Sequence, residues 1–159
     1  MQKKGQGWSF DIIVGSTIFL IAFFIFFLYT LNLSQDKNGN LEQYFYEGNA
    51  LADDLLSEGY PLNWDVGNVQ KIGILSERKM NKTKLDNFYS LVIGNYENTR
   101  SLFGITKEYY ITFSANISVG GNIIEGIGKK PVNPVNLVKT SRITIYNNSL
   151  VVVDVEIWD

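Results

Sequence analysis

The chain has 159 residues, with 14 Lys and Arg against 16 Asp and Glu for a formal net charge of −2. It has no histidine and no cysteine. Those absences exclude His-based triads, thiol nucleophiles, Cys/His zinc sites, iron–sulfur clusters and disulfide staples. The size suits one modest domain with an appendage, and no basic field points to nucleic acid as a partner. A mean hydropathy of −0.01 looks ordinary, but it averages a very uneven distribution.

The first predicted element carries the unevenness. From Ile12 to Tyr29 the chain reads IIVGSTIFLIAFFIFFLY, with no charge and no proline, and Thr30 to Leu33 extends the run. At 1.5 Å per residue this block spans about 27 Å, close to the hydrocarbon thickness of a bilayer. A buried core helix would be shorter and amphipathic, whereas this run is apolar all round. The expectation is a transmembrane helix over 12–33. Lys3 and Lys4 precede it, while Asp36, Glu42 and Glu47 with Lys37 follow. The positive-inside rule then makes 1–11 a cytoplasmic leader and 34–159 an exported head. A cleavable secretory signal would need a shorter apolar region closed by small residues. The LNLSQD that follows here offers no such pair, so the helix is expected to remain in the mature protein.

The start, MQKKGQGWSFDIIVGSTIFLIAFF, places two lysines, a glycine, a glutamine and an acid before the apolar run. Over residues 1–30 it resembles an archaeal class III signal peptide, the leader of type IV pilin-like proteins. The resemblance implies cleavage by a membrane prepilin peptidase after Gly5. Gln6 would become the first mature residue, with Lys3 and Lys4 on the removed leader. In that family an acid at the fifth mature position pairs with the amino terminus of a neighbouring subunit. Here that position is Phe10, and the acid follows one residue later as Asp11. Asp11 is thus the candidate assembly acid. The competing reading makes Ser9 or Asp11 an N-cap, where a carboxylate also suits the helix macrodipole.

After SQDKNGN the helical period resumes in LEQYFYEGNALADDLLSEGY. Leu41, Tyr44, Phe45, Gly48, Leu51, Ala52 and Leu55 fall on one stripe, and Gly59 and Pro61 end it. The two helical runs are either nearly continuous or separated by a bend or break at Asn38 and Gly39, where KNGN is a turn-like signal. A turn-rich block around Trp64 leads into a short apolar stretch, Val69 to Leu75. Asn81 caps a second helix whose buried stripe is Leu85, Phe88, Tyr89, Val92 and Tyr96, and a further turn through Leu102 and Phe103 stops at Gly104.

The last third changes to a period of two. In EYYITFSANISV, residues Tyr109, Ile111, Phe113, Ala115, Ile117 and Val119 alternate with polar ones. Gly120 and Gly121 turn the chain into NIIEGIG. KKPVNPVNLVKT reads as a loop, and SRITIY and LVVVDVEIWD flank a hairpin connection at Asn147, Asn148 and Ser149. In the final strand Val151, Val153, Val155 and Ile157 point to the core. The predicted fold class is α+β: a long N-terminal transmembrane or stem helix, then a head of antiparallel sheet covered by helices.

Residues for chemistry are sparse. Asp53 and Asp54 are adjacent, so on a helix they diverge by about 100° and read as surface charges. Asp154 and Glu156 share a strand face and with Asp159 could take a hard cation, but no loop has calcium-ligand spacing. GGNIIEGIGKK lacks the context of a phosphate loop. No catalytic residue, metal or cofactor is assigned, and the protein is not expected to be an enzyme. Four N-glycosylation sequons begin at Asn32, Asn81, Asn116 and Asn147. Asn32 lies too near the membrane, leaving Asn81, Asn116 and Asn147, of which Asn147, in an exposed turn, fits best. The expected function is that of a pilin-like structural or accessory subunit of a type IV pilus-related assembly. Its partners would be the membrane, other pilin-like subunits and a prepilin peptidase, without nucleic acid. The alternative is a non-polymerising, signal-anchored cell-surface binding protein; an exported carboxylate hydrolase is the third reading.

Overall fold

The computed structural model describes residues 6–159, with side chains for 10–30 and 41–159. Two compact units divide the chain between Asn40 and Leu41. The first helix, α1, has bounds Gln6–Leu55 and so includes Asn38 and Gly39, where the sequence suggests a bend or break.

The unit from Leu41 onward is α+β. After α1 come β1 (Leu75–Ser76), β2 (Lys79–Met80), α2 (Lys82–Gly94), α3 (Tyr96–Phe103), β3 (Glu108–Val119), β4 (Asn122–Gly128), β5 (Leu137–Tyr146) and β6 (Ser149–Trp158). β3 to β6 form one antiparallel sheet in the order β4-β3-β6-β5, while β1 and β2 make a separate two-stranded ribbon.

Local chemistry fixes most of the boundaries. The Asn81 side chain accepts from the Lys84 N–H at 3.1 Å and so caps α2. Asn95 does the same for α3 through the Asn98 N–H, and Gly104 ends α3 in the left-handed region at φ 65°. Between β3 and β4, Gly120 and Gly121 have φ of 57° and 88°. Between β5 and β6, Asn147 and Asn148 have φ of 47° and 61°. Two-residue turns with both φ positive match the twist of the strands they join.

One face of the sheet forms the core. Ile111, Val155 and Ile157 are wholly buried there, Val151 and Val153 nearly so, under Leu51, Leu55, Leu85, Phe88 and Phe103. Fully burying such a side chain contributes about 1.5–3 kcal/mol. Phe103 and Phe88 meet edge to face at 5.8 Å, and Tyr96 stacks on Tyr109 at 5.0 Å. Trp64 is also buried, its indole N–H donating to the Gly73 carbonyl at 2.8 Å.

Four expectations need correction. In the α1 stripe, Leu41 and Phe45 are 42% and 52% exposed, and the buried position between Tyr44 and Gly48 is taken by Glu47. In α2, Leu91 is buried while Tyr89 and Val92 are half-covered, because the helix rotates its Phe88 side toward the sheet. In β3, Phe113 and Ala115 do pack against the core but are only half-buried, where the β3–β4 register shifts between Thr112 and Ile117. Finally, β5 begins at Leu137, so the loop is shorter than expected: Leu137, Val138 and Lys139 pair with Trp158, Ile157 and Glu156 once the prolines are past.

Candidate membrane helix and its seat in the globular unit

Within α1, Phe10–Thr30 is 21 residues long with a mean hydropathy of 2.6, and none of it is buried. Phe19 and Phe26 are each 67% exposed and Ile25 is 62% exposed. By length and composition this helix is apolar enough to cross a membrane. Its serine and threonine hydroxyls bond back to the helix. The Ser16 hydroxyl donates to the Ile13 carbonyl at 3.1 Å, Thr17 to the same carbonyl at 2.8 Å, and Thr30 to the Phe26 carbonyl at 2.8 Å. Such back-bonding satisfies a hydroxyl where lipid supplies no partner. A Cβ added at Gly15 would meet nothing within 4 Å.

The leader residues Lys3, Lys4 and Gly5 lie outside the described residues, and Gln6 is the first residue of α1. Ser9 and Asp11 both lie within the described helix, so neither is an N-cap. Asp11 is exposed, one residue after Phe10 at the start of the apolar run.

The part of α1 from Leu41 onward is seated by a carboxylate that sequence reading did not single out. Glu47 is 5% exposed. Its Oε2 accepts from the Thr106 and Lys107 backbone N–H groups at 2.9 and 3.2 Å, and its Oε1 accepts from the Thr106 hydroxyl and the Gln43 amide, both at 2.8 Å. Burial alone raises the Glu47 pKa. The hydrogen bonds from Gln43, Thr106 and Lys107 more than offset that, so it lies below the usual carboxylate value. Arg100 braces the same loop, donating to the Lys107 carbonyl at 3.0 Å and to the Thr106 carbonyl. Nearby, the Lys107 ammonium lies 4.7 Å over the Tyr44 ring and 2.9 Å from Asp159. The Tyr44 hydroxyl and Lys107 hold the Asp159 carboxyl down at about 2. On the other side of α1, Gly48 lets the helix approach the sheet: an added Cβ would stand 3.1 Å from the Thr140 hydroxyl oxygen. Arg142 reaches back from β5 to Asp53 at 3.2 Å and Asn49 at 3.0 Å.

The signal for Glu47 was present in the sequence: an acid on the buried stripe between Tyr44 and Leu51. A charge at such a position requires specific partners, but their identity depends on a loop sixty residues away.

The remaining candidates are not brought together. Asp53 pairs with Arg142 and Asp54 with Lys71, on different elements. Asp154 is held by Lys139 at 2.7 Å and the Ser141 hydroxyl at 2.6 Å; burial pushes its pKa up, but those partners bring it below the usual range. Among the described residues no group of three or more carboxylates is placed to hold a metal ion. Of the sequons, Asn81 is engaged in capping α2, and its amide donates to the Ser76 hydroxyl at 3.2 Å. Asn116 is exposed within β3, and Asn147 is exposed in the β5–β6 turn. Comparison of the chain with protein-family models, with curated proteins and with solved structures finds no match.

Proposed function

We propose that this chain is a pilin-like, single-pass structural or accessory subunit of an archaeal type IV pilus-related assembly. Its N-terminus would be cytoplasmic and residues 34–159 extracellular. The observation that carries the reading is the unburied 21-residue apolar helix Phe10–Thr30 joined in one chain to an α+β unit. The leader-like start, with Lys3, Lys4, Gly5 and Gln6 ahead of Asp11, supports the finer assignment.

The mechanism is lateral helix burial. The apolar helix resides in the bilayer and then packs against the helices of other subunits, with Gly15, Ser16 and Thr17 allowing backbones to approach. Cleavage after Gly5 would free an amino group at Gln6. Asp11 of a neighbour would pair with that group where water is excluded, and a charge buried there is tolerated only when matched. The Glu47 seat would hold the part of α1 from Leu41 onward to the rest of its own unit.

Asp11→Asn tests the pairing, because it keeps the shape and removes the charge. The variant should accumulate in the membrane fraction and disappear from material sheared off the cell surface. Assembly equal to wild type would remove Asp11 from the mechanism. A wild-type chain found only in membranes and never in the sheared fraction would instead favour the non-polymerising surface protein.

A further inference from the structure

The outer face of the sheet, opposite the core, ends in an aliphatic patch beside the β5–β6 turn. Ile145 pairs with Leu150 and Ile143 with Val152 across β5 and β6. All four point away from the core because their neighbours Thr144, Tyr146, Val151 and Val153 are buried. Leu150 is 76% exposed and Ile143 is 68% exposed. Ile145 and Val152 beside them are half-buried, and apolar surface gathered in one place can serve as a site where another group rests. The turn directly above it holds Asn147, Asn148 and Ser149, all exposed.

We propose that Asn147 is an N-glycosylation acceptor and that its attached sugar covers this patch. The inference rests on the reading that residues 34–159 are exported. Of the three sequons with described side chains, only Asn147 offers an amide in a turn. Asn81 is committed at both ends of its amide, to the Lys84 N–H and the Ser76 hydroxyl. Asn116 lies in mid-strand between Ala115 and the wholly buried Ile117.

In the modification, the Asn147 amide nitrogen attacks the anomeric carbon of a lipid-phosphate-linked sugar. The carbon–oxygen bond to phosphate breaks, the lipid phosphate leaves with the electron pair, and the amide proton passes to a base of the transferring enzyme. A pyranose attached at the turn lies one residue pair from Ile145 and Leu150. Ile143 and Val152 follow about 7 Å further along the strands, within reach of a short glycan. The C–H faces of the sugar would rest on these side chains, with its hydroxyls in water.

The test is peptide mass spectrometry on the full chain from native membranes, alongside Ser149→Ala, Ser149→Thr, Thr83→Ala and Ser118→Ala. Changing Ser149 rather than Asn147 keeps the two asparagines that suit the positive-φ turn. In parallel, a membrane-impermeant amine reagent applied to intact cells reports whether Lys129 and Lys130 face outward. The Asn147 peptide should carry a sugar mass that Ser149→Ala loses, that Ser149→Thr keeps, and that the other two variants leave unchanged. Ser149→Ala should also raise binding of an apolar dye about twofold as the patch opens. Outward labelling with an unmodified Asn147 peptide would overturn this proposal and leave the topology standing. Inward lysines would overturn both. A sugar whose loss leaves dye binding unchanged would refute the covering role. An unmodified chain whose dimer dissolves on Leu150→Asp would assign the patch to a second copy and overturn the proposal.

Discussion

Replacing Glu47 is the sharpest perturbation of the globular unit. Glu47→Ala removes an acceptor from the Thr106 and Lys107 backbone N–H groups, the Thr106 hydroxyl and the Gln43 amide. Each donor stranded away from water costs about 1–3 kcal/mol. Thr106 is itself exposed, so water can recover part of that loss. With two backbone donors affected, the cost should be about 2–3 kcal/mol at neutral pH. Glu47→Gln keeps one acceptor oxygen but turns an N–H₂ toward the loop, and should cost about 1–2 kcal/mol. The assay is denaturant unfolding of the full chain in detergent, followed by fluorescence of the buried Trp64. Wild-type stability should also fall with acid. The folded Glu47 pKa lies below its ordinary value of 4.5, so its contribution is complete above that value and is lost as pH falls through the folded pKa. Asp159, held at about 2, acts in the same direction at lower pH. Glu47→Gln should flatten the upper part of this decline. An Ala variant with the wild-type midpoint, or an unchanged acid profile in the Gln variant, would refute the seat.

Three further substitutions probe the fold. Asn81→Ala removes the α2 cap and should lower stability by about 1 kcal/mol, read from the same unfolding curves. Gly73→Ala would drive a Cβ to 2.3 Å from the Gly59 nitrogen and 2.5 Å from the Ser57 carbonyl oxygen. Both are backbone atoms that cannot swing aside, so a loss of about 3 kcal/mol or failure to express folded protein is expected. Arg78→Gly should stabilise by about 0.5–1 kcal/mol, because Arg78 sits at φ 64° in the β1–β2 turn and glycine relieves left-handed strain.

Several elements were legible in the sequence because short-range chemistry decides them. Asn81 and Gly104 cap and stop helices through bonds within a turn, Gly120–Gly121 supplies two positive φ values, and β6 alternates from Leu150 to Ile157. Other features depend on distant partners. Glu47 stands out as an acid on a buried stripe, but its partners, like those of Lys84, are unknown until the loops that bond them are placed. The Lys84 ammonium donates to the Glu58 and Leu75 carbonyls at 2.7 and 2.8 Å, and burial lowers its pKa against the opposing charge of Glu58. The β1–β2 ribbon turns through Glu77 and Arg78, residue types that give no turn signal, although both have positive φ. Leu137–Lys139 belong to β5 only because the end of β6 is there to pair with them. The apolar helix was the most legible element, because 21 residues without a charge other than Asp11 satisfy a length and solvation requirement that involves no other part of the chain.

The central claim is that this helix anchors a processed, pilin-like subunit. It is tested most directly by the intact mass and N-terminal sequence of the chain purified from native membranes. A chain that begins at Gln6, without Lys3 and Lys4, is the predicted result. A membrane-bound chain that still begins at Met1 would contradict it.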